Sequence, residues 1–103
     1  MEKTEFDSVV NDQFNICLET LEAKAREYVY GPDRLEHFKV SGAEQNIPPK
    51  AALWGMASKH ITSIGGMCRT DASDLSLWNE KITDALNYLF LLRALVEEEA
   101  GSC

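Results

Sequence analysis

Along most of this chain apolar residues recur at steps of three and four, and no stretch sustains the period-two alternation of a half-buried strand. In residues 4–28 the apolar line is Phe6, Val10, Phe14, Cys17, Leu21, Ala25 and Tyr28, the stripe of an amphipathic helix. Thr4 and Asp7 stand at capping-box spacing, with Asp in the place of Glu. "YGP" at 30–32 ends this helix, because Pro32 disfavours helical geometry at Gly31. A short second helix is expected over 33–45, with Leu35 and Phe38 facing inward and Asp33 and Glu36 again at capping-box spacing. "NIPP" at 46–49 breaks the chain, and its prolines suit the first turn of a third helix over 49–64. Gly65–Gly66 is the expected stop for that helix. After the loop "GGMCRTDASD", a fourth helix is expected over 75–98, with capping candidates in "TDASDLS". The pattern predicts an all-α, four-helix bundle-like fold in a single helical domain spanning residues 1–103.

The fourth helix poses the main question. On a wheel of about 100° per residue, Ile82, Ala85, Leu86, Leu89, Leu92 and Val96 share one broad side, the expected core face. Glu80, Asp84 and Asn87 share the opposite side, and Leu91 and Leu95 continue it. A solvated face would stay polar for the next two turns, whereas this one turns apolar. Two readings follow. In one, the polar line is a solvent-facing patch beside a dimer contact, with Leu91 and Leu95 buried by a second copy. In the other, it is sunk in a helix interface, where carboxylates are costly unless cations, a metal or donors meet them.

The third helix carries a possible counterpart. Leu53, Met56, His60 and Ile64 form one stripe, with Lys59 and Ser63 along its edge. His60 reads either as a satisfied core histidine or, with Lys59 and Ser63, as a donor to phosphate or carboxylate. Arg34 and His37 lie one turn apart, close enough to share an anion. Tyr28 and Tyr30 offer aromatic surface for a base, although Tyr28 also completes the core stripe of the first helix. The sharper expectation is a cleft in which Glu80, Asp84 and Asn87 face Lys59, His60 and Ser63.

Charge and cysteine content narrow the field further. The formal charge is −7, from 17 acidic and 10 basic residues, so the surface as a whole repels nucleic acid. Cys17, Cys68 and Cys103 are odd in number, widely spaced and free of any C-x-x-C pair, which argues against a structural zinc site. Cys17 reads as core and Cys103 as a tail thiol. No phosphate-loop, dinucleotide-binding, nucleophile-elbow or zinc-protease motif is present. There is no run of about 18 apolar residues and the N-terminus "MEKTEFDSVV" lacks a signal-peptide core, so a cytoplasmic location is expected.

"YGPDRLEHF", "ALWGMASKH" and "WNEKITDALNYLFLL", in that order, resemble small phage and prophage proteins of uncharacterised function. More distantly, residues 28–96 are similar to the MazG-like all-α nucleoside triphosphate pyrophosphatases. In "EKITDALNYLFLL", Asp84 matches the aspartate of that group's magnesium-binding E-x-x-D pair. Lys81 stands where its glutamate belongs, Glu80 is one residue away, and the earlier E-E-x-x-E signature is absent.

The resemblance implies a nucleotide-binding helical protein of the host-cell cytoplasm, sequestering a nucleotide signal of host defence without hydrolysing it, and the fourth helix, apolar almost all round past Tyr88, adds the expectation of a homo-oligomer. Its expected ligand-binding residues are Arg34, His37, Lys59, His60, Ser63, Asp84, Asn87 and Tyr88, with no catalytic residue and no cofactor. The alternative is a magnesium-dependent pyrophosphatase that uses Asp33, Glu36, Glu80 and Asp84 as metal ligands. A third reading is an acidic interaction protein that inhibits a host partner. Neither a membrane nor direct nucleic-acid contact is expected.

Overall fold

A computed structural model describes residues 1–101, and Cys103 lies outside them. The described residues form four helices and no strand: α1 (Lys3–Tyr28), α2 (Glu36–Gln45), α3 (Pro49–Cys68) and α4 (Leu75–Glu99). No helix is long and apolar enough to cross a membrane. α4 is the central element, packed against both α3 and α1, while α2 packs against α3. At about 1.5 Å per residue, the 26 residues of α1 span much of the 44 Å long dimension.

Local chemistry corrects several expected boundaries. α1 begins at Lys3 with Glu2 at its cap position, so Thr4 is not the N-cap. Asp7 pairs instead with Lys3 (2.7 Å) along the helix surface. The second helix begins three residues later than expected. Asp33 Oδ1 accepts from Leu35 N–H (2.9 Å), and its carbonyl accepts from Glu36 N–H (3.3 Å), which holds residues 33–35 in a turn. This arrangement replaces the expected Asp33–Glu36 capping box.

α2 ends where Asn46 adopts left-handed geometry (φ 58°), returning Ile47 N–H to the Gly42 carbonyl (2.9 Å). The turn folds so closely that a Cβ at Gly42 would stand 2.7 Å from the Ile47 carbonyl oxygen. Glycine is required there by space.

The expected stop at Gly65–Gly66 is also corrected, since α3 runs on to Cys68. A glycine ends a helix by taking a left-handed conformation. Neither of these does so, and Arg69 N–H still reaches the Gly66 carbonyl (3.1 Å). Asp74 caps α4, accepting from Ser76 N–H (3.0 Å) and Leu77 N–H (3.4 Å). Trp78 Nε1–H donates to the Ala72 carbonyl (3.1 Å) and secures the loop before it.

The core joins Leu35 and Phe38 of the second segment, Leu53 and Ala57 of α3, and Leu95 of α4. Met56, Tyr88, Leu91 and Leu92 pack against it. This arrangement corrects the wheel reading of α4 in part, with Ile82, Ala85, Leu86 and Leu92 of the broad apolar side partly buried. The buried line is Thr83, Asn87 and Leu95, while Leu89 and Val96 of the expected core face are each 45% exposed. Leu91 and Leu95 are therefore packed within their own chain, and a second copy is not needed to bury them. In α1 only Cys17 is fully enclosed; Phe6, Val10 and Phe14 of the same stripe stand about half exposed. Cys68 is exposed.

Lys39 ties the start of the second segment to the end of α4, reaching Asp33 (2.6 Å) and Glu98 (2.5 Å). Its hydrogen bonds to Asp33 and then Glu98 raise its pKa, and the same Lys39 bond holds the Asp33 carboxyl below its usual range. Lys50 pairs with Glu99 (2.8 Å) beside it. These exposed pairs fix where α4 ends rather than supplying much stability.

Candidate functional site

Because Asp84 and Asn87 of the polar line of α4 face inward, they help line a cleft of about 330 Å³ to which all four helices contribute. That size falls at the lower end of small-molecule sites, about 300–1,000 Å³. α1 supplies Leu21, Lys24 and Tyr28, and the following segment supplies Arg34. α2 supplies His37 and Phe38, α3 supplies Met56 and His60, and α4 supplies Asp84, Asn87, Tyr88 and Leu91. Apolar side chains make its floor, and titratable groups stand along its walls.

Six of the eight expected ligand-binding residues meet here: Arg34, His37, His60, Asp84, Asn87 and Tyr88. Lys59 and Ser63 do not line the cleft. The reason is rotation of α3: Ala52, Leu53 and Ala57 are its most buried positions, so Lys59 is turned to solvent and only His60 reaches the cleft. Glu80 is also outside; with Ile16, Thr20, Asn79, Thr83 and Asp84 it lines a shallower depression between α1 and α4. Of the two trios expected to face each other, His60 shares the cleft with Asp84 and Asn87, and its Nδ1 lies 3.9 Å from Asp84 Oδ2. Tyr30 is 91% exposed and stands outside the cleft, whereas Tyr28 lies at its rim.

The carboxylates required by the magnesium alternative are dispersed. Asp33 is engaged by Lys39 and Glu36 lies near Gly31, while Glu80 shares with Asp84 only the depression between α1 and α4 and does not line the cleft. Among the described residues no three His, Cys, Asp or Glu side chains gather as a metal site.

Two acceptors stand side by side on α4. Asn87 is 7% exposed, and its Oδ1 is the one buried side-chain polar atom among the described residues with no hydrogen-bond partner. An orphaned buried acceptor costs about 1–3 kcal/mol. Asp84, three residues earlier and on the same face, has a half-buried carboxylate whose Oδ2 lies 3.9 Å from His60 Nδ1. Tyr88 packs its ring on His60, with centroids 5.1 Å apart and planes tilted by 33°. Burial, followed by the Asp84 charge, pushes the Tyr88 phenol above its ordinary pKa, with Lys24 opposing. The Tyr88 hydroxyl is thus a proton donor at neutral pH.

Cations occupy another part of the wall. Lys24 Nζ lies 5.7 Å from the centroid of the Tyr28 ring and has no acidic partner among the described residues. Arg34 makes one long contact, from Nη2 to the Leu21 carbonyl (3.4 Å), leaving the rest of its guanidinium uncommitted. His37 stands at the rim with its ring edge-on to Phe38. Lys24 was missed by sequence reasoning, although a signal existed. It lies three residues after Leu21 and four before Tyr28, placing it on the side of α1 where those two stripe residues meet the cleft.

No protein-family model, curated protein or solved structure matches this chain.

Proposed function

We propose that this protein binds one nucleotide in the four-helix cleft and does not turn it over. The observation that carries the reading is the orphaned carbonyl of Asn87 beside the Asp84 carboxylate, in a cleft that also holds Lys24 and Arg34 without acidic partners. A ligand that satisfies both groups needs hydrogen-bond donors for one and negative charge for the other. A nucleotide carries both, with a flat base suited to the Tyr88 and His60 rings. No three His, Cys, Asp or Glu side chains gather among the described residues, which favours retention of the ligand over metal-assisted cleavage. Through the resemblance to small phage proteins and, more distantly, to the MazG-like group, the reading extends to sequestering a nucleotide signal of host defence.

Thermal shift against a nucleotide panel tests this. A ligand at one hundred times its Kd stabilises the fold by about 2.7 kcal/mol. Lys24→Ala should weaken binding of a nucleotide but not of the matching nucleoside, since an ammonium recognises phosphate chiefly as a point charge. Absence of any shift across the panel would reject the reading, and release of pyrophosphate with magnesium would replace it with the hydrolase.

The reading includes a second copy of the chain on the outer face. Phe14 and Phe90 meet edge-on across the α1–α4 seam (6.3 Å), and each remains more than 40% exposed. Phe6, Val10 and Leu89 extend the same apolar character to either side, and a self-complementary patch of this kind suits a two-fold contact. Light scattering should report a dimer or larger assembly that Phe14→Glu dissociates, with a monomer from the unaltered chain as the contrary result.

A further inference from the structure

The acceptors on α4 also discriminate between bases. We infer that the cleft selects guanine over adenine, an inference that rests on the nucleotide reading above. Ionised Asp84 can only accept hydrogen bonds, and it accepts none from the described residues around it. Asn87 Oδ1 adds a second, buried acceptor on the same helix face. A base that fills this wall has to offer donors side by side. Guanine does so, since its ring N–H and exocyclic amino group are adjacent and match the two oxygens of one carboxylate in a forked pair. A further amino hydrogen remains for a neighbouring acceptor such as Asn87 Oδ1.

The other common bases fit this wall less well. Adenine and cytosine each set an acceptor nitrogen beside their single amino group, and that lone pair would face the carboxylate. Uracil and thymine set one N–H between two carbonyls. Guanine also carries a carbonyl next to its ring N–H, and the protonated hydroxyl of Tyr88 is a donor on the same wall.

Isothermal titration of the unaltered protein and of Asp84→Asn, with the monophosphates of guanosine, adenosine, inosine and xanthosine, tests the inference. The unaltered protein should favour guanosine over adenosine monophosphate by about 10- to 100-fold, the range a good bidentate contact supplies. Inosine monophosphate, which keeps the ring N–H and lacks the amino group, should fall between them. Asp84→Asn replaces one acceptor by an amide donor, so it should lose guanosine monophosphate and gain xanthosine monophosphate, whose carbonyl replaces the amino group. Equal affinity for guanosine and adenosine monophosphates in the unaltered protein would overturn the selectivity and leave the nucleotide reading standing. A uniform loss of all four ligands in a folded Asp84→Asn would likewise count against it. If none of the four binds the unaltered protein, this inference falls, and a blank across the wider thermal-shift panel as well would take the nucleotide reading with it.

Discussion

Thr83 and Asn87 lie one turn apart on α4, are buried to 4% and 7% exposure, and belong to two different regions. Thr83 faces the α1–α4 seam, where Gln13 Nε2 donates to its hydroxyl (2.8 Å) and also reaches Cys17 Sγ (3.4 Å). Asn87 faces the cleft, where its carbonyl has no partner. Burial is the same in kind, and the difference is completion. A buried polar group with its partner supplied by the chain serves to position two helices. A buried polar group without one carries a desolvation cost that no neighbouring group of the chain offsets. The seam pairs its buried hydroxyl within the chain, and the cleft leaves its buried carbonyl unpaired.

The comparison can be broken most severely through Leu95, which continues the inward line beyond Asn87 and is 2% exposed. Leu95→Ala should cost about 2–5 kcal/mol in denaturant unfolding. Val96→Ala, one residue away but 45% exposed, should cost far less. Similar losses at both positions would mean that α4 does not present this line inward. Next in size is a pair of substitutions with opposite signs. Gln13→Leu orphans the Thr83 hydroxyl and should destabilise by about 1–3 kcal/mol. Asn87→Leu removes an acceptor already orphaned and should raise the melting temperature while abolishing ligand binding, a gain in stability at the expense of function. A destabilised Asn87→Leu would show that the amide has a structural role after all.

Gly66→Ala is a control remote from both regions. A Cβ there meets nothing within 4 Å, so the variant should stabilise α3 by about 0.5–1 kcal/mol with ligand binding unchanged. That separates a general gain in stability from the one expected at Asn87. The smallest effect concerns pH. The Tyr88 phenol is raised in the folded state, so its contribution is complete below the unfolded phenol's pKa of about 10 and is lost as pH rises through the folded value. Melting curves at alkaline pH should show this loss in the unaltered protein and less of it in Tyr88→Phe.

Much of the helical order was legible in the chain. Periodicity placed four helices, Leu35 and Phe38 were expected inward and are inward, and Asp74 in "TDASDLS" caps α4. Ends were less legible, because a turn residue has more than one use. Asp33 was read as half of a capping box, yet its two oxygens serve Leu35 N–H and Lys39. Gly65 and Gly66 looked like a stop, yet nothing in the packing draws either into left-handed geometry.

The sequence by itself determined which residues travel together, Asp84 with Asn87 and Leu91 with Leu95, because spacing fixes what shares a helix face. It did not determine which face turns inward. α4 is apolar on two sides, so its hydrophobic pattern has two nearly equal solutions, and the choice depends on where α1, α2 and α3 pack. The packing chose the line containing Thr83, Asn87 and Leu95, leaving Leu89, Phe90 and Val96 outside. It also rotated α3 so that His60 entered the cleft while Lys59 stayed in solvent, and it brought Lys24 from α1 to the same wall. Those outcomes depend on contacts between residues far apart in the chain, which local periodicity does not encode.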